Sequence, residues 1–197
     1  MSESAYPIAI FFAAIFTNNI LLSNYLGMCS FLSVSRELKT SFGLGVAVIF
    51  VMTSTSMLNW IVYYKILEPL GIEYLRFIVF IIVIAAFVQL VEMIIERVSE
   101  VLYAALGIFL PLITVNCAIL GVSLFMVIRD YTFIESITFG LGSGIGWFLA
   151  ILAMAGIRQK LKRARIPHGL EGAGITLIIT GMMALAFMGF SGMLQIG

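Results

Sequence analysis

Two cysteines, Cys29 and Cys117, are the only thiols in this 197-residue chain. Residues 29–35 read CSFLSVS and residues 117–123 read CAILGVS, with four of seven positions identical, the cysteine among them. A lone cysteine in an apolar segment is ordinarily a small, inert, buried residue. A cysteine that recurs at matching places of a repeat is a candidate site. Thiolates are soft ligands that suit zinc or iron–sulfur better than hard cations, and in hydrocarbon they need positive charge to neutralise them. Iron–sulfur clusters and structural zinc sites take four ligands. Two thiols are therefore half a site, and the other half must come from a second chain. The single histidine, His168, stands beside Pro167 in a basic stretch and offers no histidine-based metal centre.

The residues before each cysteine are those that interrupt helices. Asn18, Asn19, Asn24 and Gly27 precede Cys29; Pro111, Thr114 and Asn116 precede Cys117. Proline removes a backbone hydrogen bond and bends the helix around it, and discontinuous membrane helices commonly line a site. The backbone amides near Gly27 and Asn116 are candidate hydrogen-bond donors to sulfur, which would tune a bound cluster. A second candidate is Glu92, which with Gln89 and Glu96 falls on one helix face. An acid at membrane depth marks a candidate ion path, set against an interfacial carboxylate that snorkels to water. Gly140, Gly142, Gly144 and Gly146 lie within LGSGIGW. A dinucleotide fingerprint needs a strand–turn–helix context; small residues that let helices approach closely fit this segment better. No Ser–His–Asp set, P-loop or flavin-attachment signal is present.

These residues sit in a chain that is 62% hydrophobic and only 11% charged. Soluble domains carry about 25% charged residues, and a water-soluble fold of this size cannot hide so much apolar surface. The lipid bilayer is the expected solvent. Net charge is +1, so no nucleic acid or other polyanion is implied. The opening MSESAYP lacks a basic n-region and a small-residue cleavage site, so the first apolar stretch reads as a retained helix. Six segments reach the length needed to span hydrocarbon: 7–34, 41–66, 74–96, 101–128, 133–157 and 173–194. The alternation of a membrane β-barrel is absent. The predicted fold is an all-α membrane protein forming one transmembrane domain over 1–197, with the first and fourth helices broken near the cysteines.

Basic residues set the orientation. Arg36, Lys39, Arg97, Arg158, Lys160, Lys162, Arg163 and Arg165 fall in alternate loops; Lys65, Arg76 and Arg129 fall on the other side. The richer side is cytoplasmic by the positive-inside rule, which puts both termini outside, on the periplasmic face of a bacterial inner membrane. The run from Arg158 to Arg165 also offers a docking surface for anionic lipid or a cytoplasmic partner. The two halves, 1–100 and 101–197, repeat: FGLG at 42–45 recurs at 139–142, in the same order as the cysteine motif. The offset grows from 88 (29 to 117) to 97 (42 to 139), so the second half has a longer first connection. Three helices per half is an odd number, so the halves form an inverted-topology repeat. Equivalent positions then meet near one axis, which would bring the two thiols together. A secondary transporter or channel with inert cysteines is the rival reading, since inverted repeats with broken helices are also its signature; a purely structural subunit is the third.

At these residues the sequence resembles the paired membrane subunits of the sodium-translocating NADH:quinone reductase (Nqr) and Rnf complexes. The resemblance is carried by LGMCSFLSVSRELKTSFGLG at 26–45, LYAALGIFLPLITVNCAILG at 102–121, RDYTFIESITFGLGSGIGW at 129–147, AGIRQKL at 155–161 and LAFMGFSG at 185–192, and it covers nearly the whole chain. MCSFL after Gly27, VNCAI and GSGIGW look more like the Nqr subunit, whereas the short connection EPLGIEYLR at 68–76 looks more like the Rnf one; the balance leans to Nqr. The resemblance implies a six-helix subunit paired with a homologous subunit of opposite topology. Each supplies two cysteines, here Cys29 and Cys117, to one intramembrane [2Fe–2S] cluster that relays electrons across the membrane. It implies further partners: flavin-carrying membrane and periplasmic subunits, and cytoplasmic subunits that react with NADH or ferredoxin. The whole complex couples electron flow to Na⁺ or H⁺ translocation, and the chain is not catalytic alone.

Overall fold

A computed structural model describes residues 7–98, 110–161, 169 and 172–189. Among them every regular element is helical: α1 (Pro7–Ile15), α2 (Met28–Val34), α3 (Leu38–Val62), α4 (Arg76–Val98), α5 (Leu110–Thr114), α6 (Cys117–Ile128), α7 (Phe133–Leu161) and α8 (Ala173–Met188). After Val62 the chain stays helical through a π turn, Tyr63–Leu67, to Leu70. Among the described residues four stretches are long and apolar enough to cross a membrane: Leu38–Leu70, Glu73–Arg97, Pro111–Ile128 and Phe133–Leu161; Ala173–Met188 is a shorter apolar helix. The described residues are thus all-helical, with spans of membrane length. Residues 99–109, 162–168 and 190–197 lie outside the described residues, and with them the start of the fourth expected segment, the basic residues Lys162, Arg163 and Arg165, and the end of the sixth.

The first expected segment, 7–34, is not one helix. Hydropathy reads through Ile20, Leu21 and Leu22, but the chain leaves the helix after Ile15 and re-enters it only at Met28. Asn19 is the cause. Its Oδ1 accepts from the backbone N–H groups of Leu21 and Leu22 at 3.1 and 3.3 Å, and its Nδ2 donates to the carbonyls of Ile15 and Gly146 at 3.1 and 2.8 Å. A side chain that serves backbone groups in this way competes with the helical ladder. Asn19 is fully buried, and each of its capacities is used, which makes the interruption tolerable in an apolar interior.

α3 and α7 form the centre, packed along each other; α1 lies on α7 and α6 lies on α3. The glycines of LGSGIGW permit this. A Cβ at Gly140 would strike Ser56, and one at Gly144 would lie 3.0 Å from the Ile49 backbone, both on α3. A Cβ at Gly142 would lie 2.8 Å from the Phe11 carbonyl, and one at Gly146 would lie 3.0 Å from the Ala14 and Ile15 carbonyls, both on α1. Two interleaved small-xxx-small faces on one helix thus seat two neighbours, the close-approach role expected of small residues in membrane helices. α7 itself starts from a Thr132–Glu135 cap: the Glu135 carboxylate accepts from the Thr132 N–H and hydroxyl at 2.9 and 2.8 Å. On α4 only the stripe Phe80, Ile84 and Val88 is buried, while Phe77, Ile78, Ile81, Ile82, Leu90, Met93 and Ile94 are exposed. An apolar outer surface of that kind suits lipid or a neighbouring membrane subunit.

Candidate functional site

Each cysteine opens a half-helix. Cys29 is the second residue of α2, after a twelve-residue interruption at 16–27; Cys117 is the first residue of α6, after the break at 115–116. Unsatisfied N–H groups and the helix dipole make such termini favourable places for negative charge. Asn116 caps α6: its Oδ1 accepts from the Ala118 N–H at 3.0 Å, fixing the turn on which Cys117 sits. The Asn116 backbone N–H itself donates to the Ile113 carbonyl at 3.1 Å.

The other expected donor does reach sulfur. The Gly27 backbone N–H lies 2.9 Å from Cys117 Sγ, joining segments 90 residues apart. Gly27 adopts φ +85°, a left-handed conformation that costs other residues about 1–2 kcal/mol. Around this link the two breaks are sewn together. The Ser30 hydroxyl donates to the Gly27 carbonyl at 3.1 Å, and Asn116 Nδ2 donates to Ser30 Oγ at 3.4 Å. Leu26 packs on Gly121, where a Cβ would come within 2.5 Å of its Cδ1. Cys117 is half-buried, whereas Cys29 is exposed on the outer surface of the chain.

Gly27, Asn116 and Cys117 are therefore gathered into one place, and Cys29 follows Gly27 by two residues on the exposed side. Thr114, the last residue of α5, is half-buried directly before that break. Glu92 stands apart, on α4, half-exposed and one turn beyond the buried stripe that ends at Val88; Gln89 and Glu96 are exposed. Among the described residues no three His, Cys, Asp or Glu side chains are grouped as metal ligands.

Sequence reasoning passed over three participants. Arg158, read as a topology signal and as the start of a basic docking run, donates through Nη1 to the Leu32 carbonyl and Ser35 Oγ at 3.0 and 2.8 Å, closing the C-terminal end of α2. Asn59 Nδ2 donates to Ser123 Oγ at 2.8 Å on α6. Ser35 and Ser123 are the last residues of the two matching cysteine motifs, and each receives its bond from the long helix of the other half. The third is Trp147, whose fully buried indole abuts Gly27: a Cβ there would lie 2.7 Å from Trp147 Nε1. In the sequence it is only the end of a glycine-rich packing motif.

The comparisons with known proteins agree with this architecture. A family model described as "Rnf-Nqr subunit, membrane protein" matches residues 7–194. The chain is 56% identical over 191 residues to the E-type subunit of the Na(+)-translocating NADH-quinone reductase of Serratia proteamaculans (strain 568), covering 94% of this chain and 96% of that protein. A match over nearly its whole length, on an all-helical fold with apolar spans, places the chain in the Rnf-Nqr family of membrane subunits.

Proposed function

We propose that the chain is the E-type membrane subunit of a sodium-translocating NADH:quinone reductase, and that Cys29 and Cys117 supply two of the four thiolates of a [2Fe–2S] cluster shared with a homologous subunit of opposite topology. The observation that carries this reading is the Gly27 N–H on Cys117 Sγ at 2.9 Å, which brings the two cysteine turns together and aims a donor at one sulfur. The residues fit such a group. Both are soft ligands at half-helix N-termini, where negative charge is favoured. Cys29 is exposed, which leaves an open face for ligands from a partner, and no further ligands are gathered within the described residues. When bound, the group supplies one-electron transfer at membrane depth. The chain's own part is to hold two sulfurs, donate to one of them and keep the surrounding interior apolar.

The finer architecture follows from the same residues. The reciprocal bonds Arg158–Ser35 and Asn59–Ser123 support two inverted three-helix repeats, because each half is fastened by the other at equivalent serines. The excess of basic residues at one end supports a cytoplasmic placement of that end and termini on the periplasmic side. The partners are then flavin-carrying membrane and periplasmic subunits and a cytoplasmic NADH-reacting subunit, with Na⁺ as the coupling ion that the relative's name carries.

The test is made on the purified complex. Iron and acid-labile sulfide are measured, together with EPR of the reduced state, for the native complex and for Cys29→Ser and Cys117→Ser. The expected result is a [2Fe–2S] signal abolished by either substitution in an assembled complex. Retention of iron, signal and quinone reduction with both cysteines replaced would show them to be inert and return the chain to a transporter-like reading.

A further inference from the structure

Arg129 closes α6 and begins the connection to α7, at the opposite end of α7 from Arg158. Its turn is fixed by the backbone: the Arg129 N–H donates to the Phe125 carbonyl and the Tyr131 N–H to the Met126 carbonyl, both at 3.0 Å. Trp60 Nε1 donates to the Tyr131 carbonyl at 2.9 Å and ties the turn to α3. The Arg129 guanidinium lies over two aromatic rings, 5.9 Å from the centroid of Phe125 and 5.7 Å from that of Phe139. Its Nη1 donates to the Tyr131 hydroxyl at 3.1 Å, and Tyr131 meets Phe139 edge-on with centroids 5.3 Å apart. The guanidinium is thus held in place by groups that leave its charge uncompensated. Among the described residues no carboxylate makes an ion pair with it. Arg129, Tyr131 and Phe139 line an open cleft with about 210 Å³ of free space, together with Ile10, Ala13, Ala14 and Asn18. The cleft therefore lies between α1, with the first residues of its interruption, and the α6–α7 connection.

We propose that this cleft binds the phosphodiester of an anionic phospholipid, with Arg129 as the recognition residue and Tyr131 and Asn18 beside it. The site is separate from the cysteines and does not depend on the cluster. A guanidinium carries five N–H donors in a planar fork, so one bond to Tyr131 leaves most of them for a ligand. That fork matches the paired oxygens of a phosphate, and the aromatic faces beneath it take the place of water on one side. Arg129 is exposed, so the cleft can be entered. The rest of the lining is apolar, and α1 turns Ile8, Phe12 and Phe16 outward at i, i+4 and i+8. A headgroup at Arg129 therefore has an apolar stripe beside it for its acyl chains. Basic pockets between membrane helices recognise anionic headgroups by this combination of charge and apolar wall. The bound lipid would clasp the nine-residue α1 to the α6–α7 connection.

The test uses the purified complex in detergent, titrated with phosphatidylglycerol that carries a photoreactive diazirine on one acyl chain. Adducts on residues 7–18 of this chain are counted by peptide mass spectrometry. Saturable labelling is expected, displaced by unlabelled phosphatidylglycerol but not by equal concentrations of phosphatidylcholine or inorganic phosphate. Arg129→Gln should raise the concentration for half-labelling about tenfold or more, the loss expected of a charge-assisted bond. Arg129→Lys, which keeps the charge and loses the fork, should recover part of that affinity. Labelling that does not saturate, or is equal in native and Arg129→Gln complexes, overturns the proposal. Displacement by inorganic phosphate as effective as by phosphatidylglycerol also overturns it and leaves a free-anion site. Absence of adducts from the native complex, with a neighbouring subunit shed by Arg129→Gln, would assign the guanidinium to a protein carboxylate instead. If Arg129→Gln fails to assemble, the competition series on the native complex decides between lipid, free phosphate and neither.

Discussion

Asn19 Nδ2 donates to the carbonyl of Gly146 at 2.8 Å, and a Cβ on Gly146 would lie 2.9 Å from that same nitrogen. The glycine is therefore the condition for the bond that holds the broken helix against α7. Gly146→Ala is expected to lower the stability of the protein by about 1–3 kcal/mol, the usual range for overpacking a tight interface. Gly156, on the same helix, is the control: a Cβ there meets nothing within 4 Å. Gly156→Ala should stabilise by roughly 0.5–1 kcal/mol, the helix-propensity difference alone. Thermal unfolding in detergent, read for both variants side by side, checks the contrast; equal shifts of one sign would refute it.

Gly27→Ala meets two penalties together. The left-handed backbone costs an alanine about 1–2 kcal/mol, and the new methyl runs into Trp147 and Ala118. The expected outcome is a protein destabilised by at least that amount, with the amide displaced from Cys117 Sγ. Denaturation midpoints give the first effect. The potential of the [2Fe–2S] signal, expected to fall, gives the second.

Arg158 makes two bonds through one nitrogen, to the Leu32 carbonyl and to Ser35 Oγ. Arg158→Ala leaves a buried serine hydroxyl and a helix-end carbonyl without that donor, and should cost about 1–3 kcal/mol. Arg158→Lys keeps the charge but presents a shorter, differently shaped donor and should recover only part of the loss. Membrane orientation, assayed by cysteine-accessibility tags on the loops, should not change in either variant, because the remaining basic residues keep their asymmetry.

Cys29 is exposed and Cys117 half-buried. In the iron-free chain separated from its neighbours, a membrane-permeant maleimide should modify Cys29 several-fold faster than Cys117, as peptide mass spectrometry would record. In the assembled complex the proposed shared cluster would engage both sulfurs, and the difference should vanish. Persistent rapid labelling of Cys29 in the intact complex would argue against a partner covering it.

Much of this was legible in the residues. The cysteine motif and its repetition pointed to Cys29 and Cys117, and the four glycines of LGSGIGW were readable as a packing surface because glycine at helical spacing has few other uses in an apolar helix. The extent of the first interruption was not legible. Ile20, Leu21 and Leu22 satisfy any hydropathy criterion for a continuous span, and only the buried Asn19, whose bonds reach Gly146 across 127 positions, shows why the helix stops. Trp147 was hidden for the same reason. Its nearness to Gly27 comes from α1 lying on α7, a tertiary relationship with no local periodicity to betray it. The Thr132–Glu135 cap, by contrast, is a plain T-x-x-E signal for the start of α7.

The reciprocal fastening of Ser35 by Arg158 and Ser123 by Asn59 also orders the birth of the protein. A ribosome delivers α1, its interruption and Cys29 long before α7 emerges, yet Asn19, Gly27 and Ser35 each take a bond to α6 or α7. During insertion the first half must wait in the bilayer with its polar turn unclasped, sheltered by insertase or by water at the interface. The corner that gathers Gly27 and Cys117 is then completed by one of the last helices to arrive, in a chain that has been made almost to its end.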